Sequence, residues 1–513
     1  MGAHGDAFGV VTSTVGRRAT RRPQAAQRSS QKWSHVLVSR PHNICVTTPF
    51  FPGLSLADAE REIHAHIFDR RPEGDHESKL RRVAMALQHL GDPQDALRIV
   101  HVTGTNGKTS TSRMTASLLR AQGLRVGLFT SPHLHSLRER IQIDGAPFGQ
   151  ADLVELWQRV APVIHRVDTY SLRVGGPRMS FFEVLTVLGF VAFADARVGA
   201  AVIEVGIGGQ RDATNVCDGE VAVLTPMALD HESYFGDSVV GVALEKTGII
   251  KQHATVVSAA QVDEAAEVIT GVSRQRRASL LWEGAHMSVE DREAHMDGQT
   301  VTLRTAAGTY PHIDIPLHGD FQAQNALVAL AATEVFMGNG IPRELDHTTV
   351  REGFAGASSP GRMEQVAHHP LVVVDAAHNP HGIAAITAAV RETVGERALV
   401  GVVAVLSDKD GAGILEGIEP LVDAVVVTRT LSPRATDPHE LGEVARTLFG
   451  ESRVVEALSV EEALKRACDM AGAAGAVLCT GSVTLVSEVR DVLSATSSPD
   501  MDTPDGPTAH VAA

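Results

Sequence analysis

Seven consecutive residues, Gly104-Thr105-Asn106-Gly107-Lys108-Thr109-Ser110, have the types and spacing to hold a phosphate. Ile99, Val100 and Val102 precede them as a short apolar β run, and Met114, Ala116, Leu118 and Leu119 follow as a helical face. The glycines open backbone conformations closed to other residues. Backbone N–H groups from Thr105 to Thr109 are expected to converge on an anion at the helix N-terminus, with Lys108 reaching the terminal phosphates and the Thr109 or Ser110 hydroxyl serving Mg²⁺. The motif departs from the strict phosphate-loop form, because Val102 stands where its first glycine would be. An ordinary βα turn is the alternative, and the strand before and helix after speak against it.

Other chemistry-bearing residues fall at strand ends. Ser131 and His133 follow the strand Arg125–Phe129, and a loop there shares the rim of a parallel sheet with the phosphate loop. Glu204 lies inside the apolar run Ala200–Val205, where a carboxylate is costly unless paired or metal-bound. His231 follows the strand Val221–Leu224. Ser131, Glu204 and His231 together make a Mg²⁺ shell of mostly oxygen ligands, against the plainer readings of a core ion pair and a loop histidine. Lys246 is placed on the rim at the end of a helix. Asn325 either serves a nucleotide or caps the helical stretch Ala326–Met337.

The elements that position these groups alternate between β and α. The chain has 513 residues, room for two or three domains of about 150. Residues 1–54, basic and nearly free of acids, read as a disordered extension; a transit peptide, a flexible tail or a start codon assigned too early would each fit. Residues 55–357 read as a mostly parallel, phosphate-loop-type α/β sheet domain with two helices ahead of the loop. Near Ser358–Met363 the pattern restarts, and 358–496 read as a smaller, Rossmann-like open α/β domain. Its first strand leads into Asp375-Ala-Ala-His378-Asn379-Pro380 at the ligand edge. Residues 497–513 read as a tail. A net charge of −15 argues against a general nucleic-acid binder, no apolar run is long enough to cross a membrane, and four scattered cysteines fit a reducing, cytoplasmic setting without zinc.

Taken together, these stretches resemble the folylpolyglutamate synthase and dihydrofolate synthase family within the Mur-ligase group. The resemblance rests on Gly104-Thr-Asn-Gly-Lys108, Thr130-Ser-Pro-His-Leu134, Phe182-Glu183, Glu204-Val-Gly-Ile-Gly-Gly209 with Asp212-Ala-Thr-Asn215, Leu229-Asp-His231, Glu245-Lys246 with Gly248-Ile249, and Asp375 to Pro380. It implies an ATP-dependent ligase in which a carboxylate is phosphorylated and L-glutamate attacks the acyl phosphate. The acceptor would be dihydropteroate, the γ-carboxylate of a reduced folate, or both. It further implies that Gly104 to Ser110, Asn325, Arg362 and Asp375 contact ATP, that Ser131, Glu204 and His231 hold one or two Mg²⁺ ions, and that Lys246 is carbamylated. Lys108, Lys246 and His378 form the expected catalytic set. The pterin pocket would draw on Asp75–Ser78, Ser180, Phe181 and Phe182, and Arg211, Asp212 and Ala213. The implied protein is a cytoplasmic monomer acting on small molecules, with neither nucleic acid nor membrane as partner. Thr109 replaces a frequent Gly, Gln210-Arg211 a usual Arg followed by an apolar residue, and Thr247 a usual Ala. A peptidoglycan-type Mur ligase and a non-catalytic nucleotide module are the alternatives. Residues 55–98 are too few for the nucleotide-sugar domain that such a ligase normally carries.

Overall fold

Continuous apolar, β-branched runs such as Val221–Leu224, buried at every position, form strands covered on both faces. A computed structural model describes residues 53–67, 77–229, 236 and 238–497. The expected extension up to residue 52, the tail beyond 497, Asp75, His76 and His231 lie outside the described residues.

One eight-stranded sheet runs in the order Ala146–Pro147, Ile141–Ile143, Val126–Phe129, Ala200–Glu204, Ile99–Thr103, Val221–Leu224, Thr255–Ser258, Ser279–Trp282. Its last six strands are parallel, and the first two form an antiparallel hairpin at the edge. Asp144 and Gly145 turn that hairpin with φ of 53° and 85°, the positive values a two-residue turn demands. In the centre, Val102 pairs with Glu204 and Thr103 with Leu224. That register sets the residue after Ile99–Thr103, Gly104, beside both the Glu204 and the Thr225 strand ends.

Helices Lys108–Ala121 and Asp320–Met337 pack on one face, with Met114, Leu118, Leu327 and Leu330 in the core. Glu77–His89, Gln150–Arg173 and Phe181–Asp195 cover the other, with Leu87, Trp157 and Leu188 buried. An antiparallel sheet of Ser288–His295, Gly298–Arg304 and Thr309–Ile315 packs on Asp320–Met337. The second large sheet runs Glu364–His368, Leu371–Val374, Ala476–Thr480, Leu399–Val403, Ala424–Val427, Val454–Glu456, parallel except for its first strand. The two large sheets therefore give mixed α/β architecture with parallel order dominant. No described helix is long and apolar enough to cross a membrane.

One difference from the sequence reading bears on the site. The helix expected from Ala326 starts at Asp320, so Asn325 lies within it and the capping alternative falls.

The helix Asp320–Met337 also buries Glu334, only 1% exposed, against the small sheet. Tyr310 Oη and Thr305 Oγ1 donate to its Oε1 at 2.7 and 2.8 Å. Burial raises its pKa to about 7. The folded state thus holds a proton that the unfolded chain releases near pH 4.5. The stability linked to that proton is complete below 4.5 and lost as pH rises towards 7. Glu334→Gln, which does not titrate, is expected to gain on the order of 3 kcal/mol relative to wild type between pH 4.5 and 7.5. Urea unfolding of both proteins across that range checks this, and a difference constant with pH would contradict it.

Candidate active site

The phosphate loop is built by two close approaches. Gly104 has φ +151°, and a Cβ there would come within 1.8 Å of Thr225 Oγ1. Gly107 has φ +86°, and its Cβ would meet Asn325 Oδ1 at 2.4 Å. Only glycine fits either position. The expected ring of amides is narrower than Thr105 to Thr109, because the N–H groups of Thr105 and Asn106 donate to Pro226 O at 2.9 and 3.4 Å. The helix N-terminus remains: the first intrahelical bond in this turn runs from Thr111 N–H to Gly107 O, so the amides of Lys108, Thr109 and Ser110 come before it. Lys108 Nζ folds back to Gly104 O at 3.0 Å and Thr105 O at 2.8 Å.

Of the two candidate hydroxyls, Thr109 Oγ1 faces the rim and donates to Glu204 Oε1 at 2.8 Å. Ser110 does not. Its side chain is buried against Ser359 Oγ at 2.9 Å and Gln322 Nε2 at 3.3 Å, so of the two alternatives the geometry favours Thr109. Ser131 donates its backbone N–H to Glu204 Oε2 at 3.2 Å. Glu204 is 1% exposed; burial pushes its pKa up, while Lys108, Thr109, Ser131 and Arg362 pull it back. Thr109, Ser131 and Glu204 are hard oxygen donors, the type Mg²⁺ takes when one carboxylate and substrate phosphates share it. Among the described residues no three His, Cys, Asp or Glu gather as a closed metal cage.

Lys246 ends the helix Val239–Lys246, is 5% exposed, and its Nζ donates to Gly104 O at 2.6 Å. Two lysines thus converge on one loop carbonyl. The turn after Glu204 clasps this helix end: Gln210 N–H donates to Glu245 O at 2.7 Å, and Gly209 leaves no room for a Cβ against Lys246 and Glu245 backbone. Arg211, read as a pterin contact, pairs its guanidinium with buried Glu245 at 3.1 Å. Asp212, read likewise, accepts from Thr214 N–H at 3.0 Å, Thr214 Oγ1 at 2.5 Å and Ile207 N–H at 3.1 Å, and Ala213 is buried in the core. These contacts build the turn, with the Asp212 carboxylate engaged by Thr214 and Ile207. Ser180 caps Phe181–Asp195 in a capping box with Glu183, which is held by Arg82 at 2.8 Å. Phe181 and Phe182 are half-buried. Phe181 stacks on His64 at 5.5 Å and lies beneath Arg140 at 5.2 Å, while Phe182 packs against Phe129 at 5.8 Å.

On the same lobe, Asn325 is 5% exposed and bonded to Gln322 at 3.1 Å, directly under Gly107. Asp375 is also buried, and its two oxygens accept from Met363 N–H at 2.8 Å and Ala377 N–H at 2.7 Å. It thereby ties the Gly361–Met363 backbone, and Arg362 with it, to the second sheet. The Arg362 charge acts on both Asp375 and Glu204. His378 Nδ1 lies 3.0 Å from Ala376 O.

Several site residues escaped the sequence reading. Arg113 and Arg140 join Lys108 and Arg362 around Glu204, and burial lowers both guanidinium pKa values, Arg140 to about 10. Arg140 Nε donates to His133 Nδ1 at 2.7 Å, and burial beside that cation holds His133 neutral, with its pKa lowered to about 4. Arg113 had a usable signal, since it lies four residues after Thr109 and so on the same helix face.

Comparison with known proteins agrees with this geometry. Residues 152–333 match the Mur ligase middle domain and 361–483 the Mur ligase glutamate ligase domain. The Mycobacterium tuberculosis dihydrofolate synthase/folylpolyglutamate synthase is 41% identical over 83% of this chain and 92% of its own. The Lacticaseibacillus casei folylpolyglutamate synthase is 34% identical over 85% and 98%. Among solved structures, the M. tuberculosis folylpolyglutamate synthase complexed with ADP superposes with a TM-score of 0.80 at 39% identity, covering 85% of this chain and 98% of that one. An FPGS–AMPPCP–folate complex gives 0.73 at 31% identity, over 86% and 100%. With this identity over most of both chains and a shared fold, the chain belongs to the dihydrofolate synthase/folylpolyglutamate synthase family of Mur-type ligases.

Proposed function

We propose that this protein joins L-glutamate to a pterin-linked carboxylate, that of dihydropteroate or the γ-carboxylate of a reduced folate, with cleavage of ATP. One observation carries the reading: Thr109, in the first turn of the Lys108 helix, donates to buried Glu204 at 2.8 Å, and the charges of Lys108 and of Arg362 both act on that carboxylate. Residues 55–357 and 358–496 are the two lobes of this site. The acceptor carboxylate oxygen attacks the γ-phosphorus as the bond to ADP breaks. The glutamate amine then attacks the acyl carbon, the C–O bond to phosphate breaks, and the amine gives up a proton. Phosphoryl transfer needs positioning and charge neutralisation more than covalent help. Lys108 and Arg362 supply cationic groups for the phosphates, and the Lys108–Ser110 amides cradle them. Mg²⁺, when bound, would screen the phosphate oxygens; Glu204, Ser131 and Thr109 would hold it together with His231.

Half-buried Phe181, with His64 and Arg140 on its faces, offers aromatic and cationic surface for a pterin and its acidic tail. A cytoplasmic setting suits the free thiols of Cys217, Cys468 and Cys479. Assaying the purified protein separately with dihydropteroate and tetrahydrofolate tests the proposal. Phosphate release should require ATP, Mg²⁺, glutamate and one of these acids together. Release indifferent to the acid would refute it.

A further inference from the structure

Asn106 sends its side chain to the turn after the first parallel strand of the second lobe while its backbone stays with the first. Its N–H, with that of Thr105, is directed to Pro226 O. Its Nδ2 donates to His381 Nδ1 at 2.7 Å and lies 3.5 Å from Asn379 Oδ1. Both acceptors sit on a well-held turn. Asn379 is the N-cap of Pro380–Val394 and takes Gly382 N–H at 2.7 Å, and the strand before it is pinned through Asp375. Because His381 Nδ1 accepts, the ring carries its proton on Nε2. A single amide nitrogen with two hydrogens suits two acceptors; a carboxylate at residue 106 would face them with none. Asn325 packs close beneath Gly107, where a Cβ would meet its Oδ1 at 2.4 Å.

We infer that Asn106 is a positioning residue that latches the phosphate loop to His381 of the second lobe, so that nucleotide held on the Lys108–Ser110 amides also sets where Arg362 and Asp375 stand. This reassigns Asn106 from nucleotide contact to lobe coupling, and it rests on the ligase reading. Losing one hydrogen bond of this kind corresponds to about a tenfold change.

The test uses Asn106→Ala, His381→Leu, His381→Asn and the double variant Asn106→Ala/His381→Leu. Steady-state rates with ATP, Mg²⁺, glutamate and tetrahydrofolate or dihydropteroate are read beside AMPPCP binding by calorimetry. Asn106→Ala and His381→Leu should each lower kcat about tenfold while the KM for ATP and the Kd for AMPPCP stay within about threefold. The double variant should be no slower than the slower single variant, because one contact is lost only once. His381→Asn, whose Oδ1 replaces the Nδ1 acceptor, should recover most of the rate lost in His381→Leu. Multiplying losses in the double variant, unchanged kcat in the single variants, or a tenfold loss of AMPPCP affinity in Asn106→Ala at unchanged kcat would each overturn the latch. Wild type without turnover on either acid would instead refute the ligase reading. The latch is then read from the distance distribution between spin labels, one on each lobe, with AMPPCP bound. A broader distribution in Asn106→Ala and His381→Leu than in wild type supports it, and an identical one overturns it.

Discussion

Lys108→Ala is expected to lower kcat about a thousandfold with the fold intact. Lys108 opens the helix Lys108–Ala121, and alanine there keeps helical propensity, so circular dichroism and the unfolding midpoint should change little. The loss is electrostatic. Its ammonium is held over the loop by Gly104 O and Thr105 O, and it is the largest charge acting to keep Glu204 ionised. Removing it takes a cation from the transferred phosphoryl group and leaves a buried carboxylate with less compensation, which pushes the Glu204 pKa further up. Both effects fall on the phosphorylation step. Single-turnover phosphate release is the measurement, and a rate near wild type would contradict the role given to Lys108.

The second large effect is expected at Lys246. A buried lysine needs partners for its ammonium, and this one gives Gly104 O a hydrogen bond. Carbamylation would join the neutral Nζ to the carbon of CO₂ with loss of a proton, leaving one N–H for Gly104 O and presenting two oxygens to the metal side of the site. Lys246→Ala should lower kcat about a hundredfold. Lys246→Arg keeps a cation and a donor but cannot form the carbamate, and it should be no more active than the alanine variant. Near-normal activity of Lys246→Arg would show that a cation suffices and would rule the carbamate out. Wild-type protein kept with ¹³C-bicarbonate should show a carbamate carbon resonance that both variants lack.

What could be read in the sequence was local or periodic. The glycines at 104 and 107, the strand Ile99–Thr103 and the helix after it lie within one continuous segment, and a buried carboxylate at Glu204 announces its cost from composition alone. What escaped depends on elements distant in the chain. Whether the Thr105 and Asn106 amides face a ligand or Pro226 is settled by a loop more than a hundred residues away. That Thr214 and Ile207 close a turn around the Asp212 carboxylate is likewise a matter of folded geometry. Arg140 reaches Glu204 only because the edge hairpin folds back beside Val126–Phe129. The early start of the Asp320–Met337 helix was hidden because Gly319 precedes it without a side-chain cap.

Isotope transfer from the acceptor tests the central claim most directly. Dihydropteroate or tetrahydrofolate labelled with ¹⁸O in the carboxylate that receives glutamate is turned over with ATP, Mg²⁺ and L-glutamate, and the released phosphate is analysed by mass spectrometry. If the carboxylate is phosphorylated and the amine then displaces phosphate, one ¹⁸O leaves with each phosphate formed. Glutamylated product accompanied by phosphate without ¹⁸O would contradict an acyl phosphate, and with it the chemistry assigned to Lys108, Glu204 and Arg362.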